Sequence, residues 1–338
     1  MEEHMYNKQN KTNSLVEAGL IVALMIVLIM LNLYFPIFTV FGSFILPIPI
    51  AVLYMRQDYK ITIWAILVTG VITMLINNPI TALTTTISFG IMGFLLGYCI
   101  KKEKSIFITI IILAAGFLLS NIMTFLIYFS FIDRRGIIGY INENINIIKE
   151  SMELTKEIYS KAGVSKDKLQ QIDQVFGFLN LDSMLKMLPV ALIINAFLAA
   201  FLNYAVTKKI LMKLGYKNVK SLPSISKIYI NVRLVTIVAI GLLIGAVLKR
   251  KAIGLGDYFF ITASYLLMIL LLIDGISTFI YYMRNKFKIS KGILIFIFLI
   301  TLGPLYIIYF YLGLADIMLD FRKLDPFRQY KNNKSGEL

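Results

Sequence analysis

Three groups of residues in this chain could do chemistry. Asp274 is a carboxylate well inside an apolar run, LLLIDGIST, where hydrocarbon makes it costly unless it is paired, protonated or facing water. The local alternative is a buried hydrogen bond to Ser277 or Thr278 within the next helical turn. Asp316 and Asp320 lie four apart, which on a helix puts both carboxylates on one face, close to Arg322. Such a pair could hold Mg²⁺ against a phosphate, as in a membrane phosphotransferase. That reading ranks last, because no second acidic motif accompanies the pair.

The third group carries amides and hydroxyls: Asn32, Asn77, Asn78, Thr81, Thr84, Thr85 and Ser88, with Asn121 and Asn195 nearer the middle of their apolar runs. In hydrocarbon each needs a partner or a wet cavity, so Asn32, Asn77, Asn78, Thr81, Thr84, Asn121 and Asn195 are candidate ligands in one outward-facing polar pocket. Interhelical hydrogen bonding without a ligand accounts for the same residues equally well. Other chemistry is excluded by what is missing. Cys99 and His4 are the only cysteine and histidine, and neither a phosphate-cradling glycine loop nor a nucleophile elbow occurs. The expectation is a protein that is not an enzyme and holds no cofactor or metal.

The elements that must position these residues are apolar runs. The chain has 338 residues, 58% of them hydrophobic, and the apolar residues fall in stretches of about twenty, roughly the length a helix needs to cross the hydrocarbon core. Nine runs stand out, at about 15–35, 40–55, 61–76, 80–100, 106–131, 187–206, 232–248, 258–283 and 292–318. The fold expected is an all-α polytopic transmembrane bundle of about eight or nine spans. The second run is the weakest, since Pro47 and Pro49 must bend or end a helix, and Gly303 with Pro304 divides the last into two half-helices. The first run is expected to remain as the first span rather than to be cleaved as a signal peptide.

The charges follow the same plan. Thirty-four Lys and Arg against 19 Asp and Glu would suit nucleic acid in a soluble protein, but here the cations cluster in short loops between runs, so no nucleic-acid partner is expected. Lys8, Lys11, Arg56, Lys60, Lys101, Lys102 and Lys104 fall on one side, while the turns near Pro36 and Pro79 carry none, which places the N-terminus in the cytoplasm of a bacterial plasma membrane. Lys249, Arg250 and Lys251 fall on the wrong side for that scheme. A labelling experiment checks it. In a Cys99→Ser background, cysteines at Lys102 and Lys217 should be shielded from impermeant thiol reagents added outside and one at Lys161 labelled; the reverse pattern inverts the topology.

Residues 132–186 form the one sizeable polar region, with acidic and basic residues in equal number and a helical pattern through Ile145, Ile148, Met152, Ile158 and Leu169, and are expected to make an outer helical cap. Small residues at four-residue spacing, Ser14/Ala18, Gly19/Ala23, Gly93/Gly97, Ala196/Ala200 and Gly241/Gly245, make flat strips where helices approach closely. Most of these serve packing inside the bundle, and Gly19 with Ala23 is the best candidate for docking a partner.

The first 207 residues resemble the substrate-binding S components of energy-coupling-factor (ECF) transporters. The features that carry it are VEAGLIVAL in the first run, the short Pro-containing ILPIPIAVLY, the charged turn RQDYK and then SFGIMGFLLGYCIKK. Nearly the full length, through the closing GLADIMLDFRK, looks like the YybS-like family of uncharacterised bacterial membrane proteins. The S-component resemblance implies a six-span solute-binding unit over 1–207, cap 132–186 included, whose first span docks on a transmembrane coupling subunit driven by ATPases in trans. Residues 208–320 then add further spans and 321–338 a basic tail. Departures from the S-component pattern are Gly19-xxx-Ala23 in place of Ala-xxx-Ala, the long cap, and the added spans.

Two functions follow. One is a solute-binding, transport-type component for a small metabolite, without its own ATPase, its partners being the bilayer, the solute and the coupling machinery. The other is a non-transport envelope protein that organises partner proteins, for which the cap and the packing strips suffice.

Overall fold

The structure is a computed structural model that describes residues 2–165, 177, 179–216 and 219–325. Leu169 of the expected cap pattern, Lys217 and most of the tail 321–338 lie outside the described residues. Helices run in the order α1 (Glu2–Tyr34), α2 (Pro36–Ile45), α3 (Pro47–Arg56), α4 (Tyr59–Ile76), α5 (Pro79–Lys101), α6 (Ile106–Phe131), α7 (Gly136–Lys161), α8 (Leu181–Lys213), α9 (Val232–Arg250), α10 (Leu255–Asn285), α11 (Lys291–Thr301) and α12 (Tyr306–Leu319). Among the described residues, seven are long and apolar enough to cross a membrane, or eight if α11 and α12 together make one broken span.

The second expected span is the one that changes. It divides into α2 and α3 at Leu46, because Pro47 is the first residue of α3 and its ring, lacking an N–H, favours the start of a helix over its interior. Pro47 through Tyr54 are all buried, so α3 is an interior element rather than a lipid-facing one, and protein covers the interrupted backbone. Two glycines of α5 make room for it. A Cβ at Gly93 would stand 2.6 Å from the Pro47 carbonyl oxygen, and one at Gly97 would stand 2.6 Å from the Tyr54 Cβ. The Gly93/Gly97 strip therefore packs inside the bundle, as its spacing implies.

The described residues fall into two compact units, one within Met1–Leu181 and Leu192–Ser221, the other within Asp182–Ala191 and Leu222–Leu338. In the first unit, α1 turns Ala18, Val22, Met25 and Ile29 inward at helical spacing, where they pack with Leu46, Ile50, Leu53, Ala65 and Phe89. Its other face shows Leu15, Leu20, Leu24 and Val27 outward. In water such a surface would be an aggregation hazard, whereas in lipid it is the ordinary solvent-facing side.

In the second unit, α9 lies close on α10. A Cβ at Gly245 would be 2.6 Å from the Phe260 amide nitrogen, so backbone touches backbone at that point. Lys249, one of the cations on the wrong side for the topology scheme, is 3.3 Å from Asp257, which also takes Lys186 at 3.0 Å. The α11–α12 pair bends by 110° at its break, where the Thr301 and Tyr309 hydroxyls meet at 2.5 Å. The sequence places that break at Gly303–Pro304, and the structure has it there.

Candidate functional site

The most tightly organised polar cluster lies in the second unit, at the crossing of α10 and α12. Gly275 and Gly313 set the crossing distance. A Cβ on Gly275 would fall on the Tyr309 carbonyl and within 2.9 Å of the Gly313 nitrogen; one on Gly313 would fall on the Leu271 carbonyl and within 2.7 Å of the Gly275 nitrogen. The two backbones are thus in contact, and Asp274 and Asp316, the first beside and the second one turn beyond those glycines, are brought to one place.

Arg322 fills the space between them. The side chains of Arg322, Asp274 and Asp316 are all fully inaccessible to solvent. Its Nη2 donates to Asp274 Oδ1 at 2.8 Å and its Nε to Asp316 Oδ2 at 2.9 Å. Its Nη1 donates to the Ile228 carbonyl at 2.8 Å and to the Ser277 hydroxyl. All three guanidinium nitrogens are engaged, which is what a buried cation requires.

The segment before α9 is held by the same group. Ile230 N–H donates to Asp274 Oδ1 at 3.1 Å, and the Ser277 hydroxyl lies 2.6 and 2.7 Å from the Ile225 and Ile228 carbonyls. After α12 the chain turns sharply: Asp320 takes a left-handed conformation at φ 50° and its carboxylate accepts from the Leu324 and Asp325 amides. Asp320, Arg322 and Asp325 are buried along with the turn. Burial, then the Asp325 carboxylate, pushes the Tyr229 phenol up to about 12.

Three sequence expectations are settled here. The partner of Asp274 is Arg322, not Ser277 or Thr278: Ser277 turns to the segment before α9, and Thr278 Oγ1 donates at 2.9 Å to the Asp274 backbone carbonyl. Asp316 and Asp320 do not share a helix face, because α12 ends at Leu319 and Asp320 leaves it to cap the following turn. Arg322, read as the start of a basic tail, is an interior residue.

The amide and hydroxyl set is distributed over the first unit. Asn32 donates to the Phe38 carbonyl at 2.8 Å across the α1–α2 turn, and Asn121 to the Phe117 carbonyl at 2.9 Å within α6. Asn77 and Asn78 share the α4–α5 turn, where Asn77 Oδ1 accepts from Asn78 N–H and Asn78 Oδ1 caps α5 at the Ile80 amide. Thr84 donates back to its own helix, Thr81 and Asn195 are exposed, and Ser88 accepts from Ser120 at 3.0 Å, joining α5 to α6. Two grooves of about 490 and 440 Å³ are lined by other residues, the first by Arg135, Glu143 and neighbours on α7, the second by Met55, Lys101 and Tyr216. Gly19 and Ala23 are exposed on α1, and nothing lies within 4 Å of a Cβ placed on Gly19.

A family model described as "Predicted membrane protein (DUF2232)" matches residues 23–317. An uncharacterised protein of Bacillus subtilis (strain 168), YybS, is 20% identical over 282 residues, covering 82% of this chain and 86% of that one. No solved structure matches.

Proposed function

This chain belongs to the DUF2232 family of predicted membrane proteins, and from that premise we propose that it is a transport-type component of the bacterial cell membrane, N-terminus cytoplasmic, whose working centre is the Asp274–Arg322–Asp316 cluster. One observation carries the reading: two carboxylates and one guanidinium, all fully buried, sit beside a span broken by 110°. Charges in a membrane interior are kept where an ion or solute passes, and broken helices accompany them because only a protein-lined site tolerates freed backbone groups. In this reading the solute is a small metabolite. Gly19 and Ala23 on the open face of α1 meet a transmembrane coupling subunit, and ATPases act in trans, since the chain carries no phosphate-cradling loop. The S-component resemblance of residues 1–207 supports the same assignment.

A second reading, an envelope protein that organises partners, is favoured by α7. Ile147, Leu154 and Ile158 stand exposed on one side of that charged helix, a stripe that suits another protein. Gentle solubilisation of native membranes followed by mass spectrometry of retained proteins and small molecules separates the two. The transport-type reading expects a small molecule that is held by the wild type and lost from Asp274→Asn. Retention of envelope proteins with no small molecule puts the second reading first.

A further inference from the structure

We propose that Asp274 is a reversible proton-binding site. It stands on the geometry of the second unit alone and survives if the transport-type reading fails. The cluster contains two carboxylates for one guanidinium, so one negative charge is left over among side chains that water does not reach. The hydrogen bonds say which carboxylate carries it. Asp316 has donors on both oxygens, from Arg322 N–H at 3.3 Å and Arg322 Nε at 2.9 Å, and the guanidinium's Nη2 is also 2.9 Å from its Oδ2. Asp274 has donors on Oδ1 only; its Oδ2 is buried and without a hydrogen-bond partner.

A bare carboxylate oxygen in such a place carries a desolvation cost that a single shared cation does not offset. A proton on Oδ2 removes the charge and leaves Oδ1 free to keep both its bonds. The resulting hydroxyl still lacks an acceptor, but an unmet neutral group costs a few kcal/mol where an unmet charge costs far more. Other groups do not change the assignment. Among the described residues, the charged and titratable side chains on the segments packed against this part of α10 are Lys227, Tyr229, Arg233, Tyr309, Asp316, Asp320, Arg322, Lys323 and Asp325, and of the cations in this set it is Arg322 that meets the Asp274 carboxylate, at 2.8 Å on Oδ1. Among the described residues, no group of three or more His, Cys, Asp or Glu is placed to hold a metal ion, so a proton suits the site better than a metal cation.

Binding and release of that proton give the cluster two arrangements. With Asp274 neutral, Arg322 is balanced by Asp316 alone. With Asp274 ionised, the guanidinium is shared, and Ile230 and the segment before α9 are drawn more strongly onto α10.

The test is infrared difference spectroscopy on the full-length protein in phosphatidylethanolamine–phosphatidylglycerol vesicles, as pH is stepped from acid to alkaline and back at constant sodium. The expected result is a protonated-carboxyl band that shifts in heavy water, disappears reversibly on alkalinisation, persists in Asp316→Asn, and is absent from Asp274→Asn. Asp274→Glu keeps the group and moves the band, which keeps the test usable if the amide variant fails to fold. A wild type without the band throughout the range in which it stays folded overturns the proposal. So does a band that ignores Asp274 substitutions, or one that responds to sodium at constant pH and not to protons.

Discussion

Arg322→Met is expected to destabilise the protein more than any other single side-chain truncation, on the order of 3–5 kcal/mol, because it leaves Asp316, and Asp274 whenever it is ionised, buried with no counter-charge. Heating the detergent-solubilised protein and measuring the fraction that still elutes as a single species reads this as a lower midpoint. The triple variant Arg322→Met, Asp274→Asn, Asp316→Asn should recover much of the loss, since removing all three charges removes the penalty along with the attraction. By contrast, Arg135→Ala, whose side chain is 58% exposed while it pairs with Asp133 and Glu143, should be hard to distinguish from wild type. Equal shifts for Arg322→Met and Arg135→Ala would mean that the cluster is solvated and that the site has been misplaced.

The second large effect is steric. Gly313→Val should prevent the α10–α12 crossing, because its side chain meets the Leu271 carbonyl and the Gly275 amide, backbone atoms that cannot swing aside. Gly19→Val, at a position with open space around it, should leave the midpoint unchanged. Trypsin digestion gives a second measure: if the crossing fails, Arg322 leaves the interior and cleavage after it rises several-fold. A Gly313→Val protein as stable and as resistant as wild type would show that the two helices do not touch there.

How much of this was legible beforehand differs by element. Apolar run length set the helices, and Pro47, Gly303 and Pro304 marked both breaks, because a missing N–H or Cβ acts within one turn of its own residue. Gly93 and Gly97 were readable as a packing strip because both lie on one helix face. Gly275 and Gly313 were not, since each is a single glycine and the contact exists only when two helices meet. Asp274 stood out as an intramembrane charge, but its partner is 48 residues away and no spacing rule spans that distance. One signal was available: a carboxylate in hydrocarbon needs a cation, and Arg322 is the first basic residue after the last apolar run. Asp320 misled because the i, i+4 rule assumes a helix that in fact ends one residue earlier. The amides of the first unit were identifiable as polar groups, but which way each side chain turns depends on local acceptors such as the Phe38 and Phe117 carbonyls.

The α12 turn also has a consequence for biosynthesis. A ribosome makes Asp274 and the segment before α9 well before it makes Arg322, and the guanidinium is the piece that binds both. Until that residue emerges, Asp274 lies in an apolar helix without the guanidinium that binds it in the finished fold. Assembly of the second unit is therefore completed only after translation has passed residue 322, and the buried ion cluster marks a chain made that far.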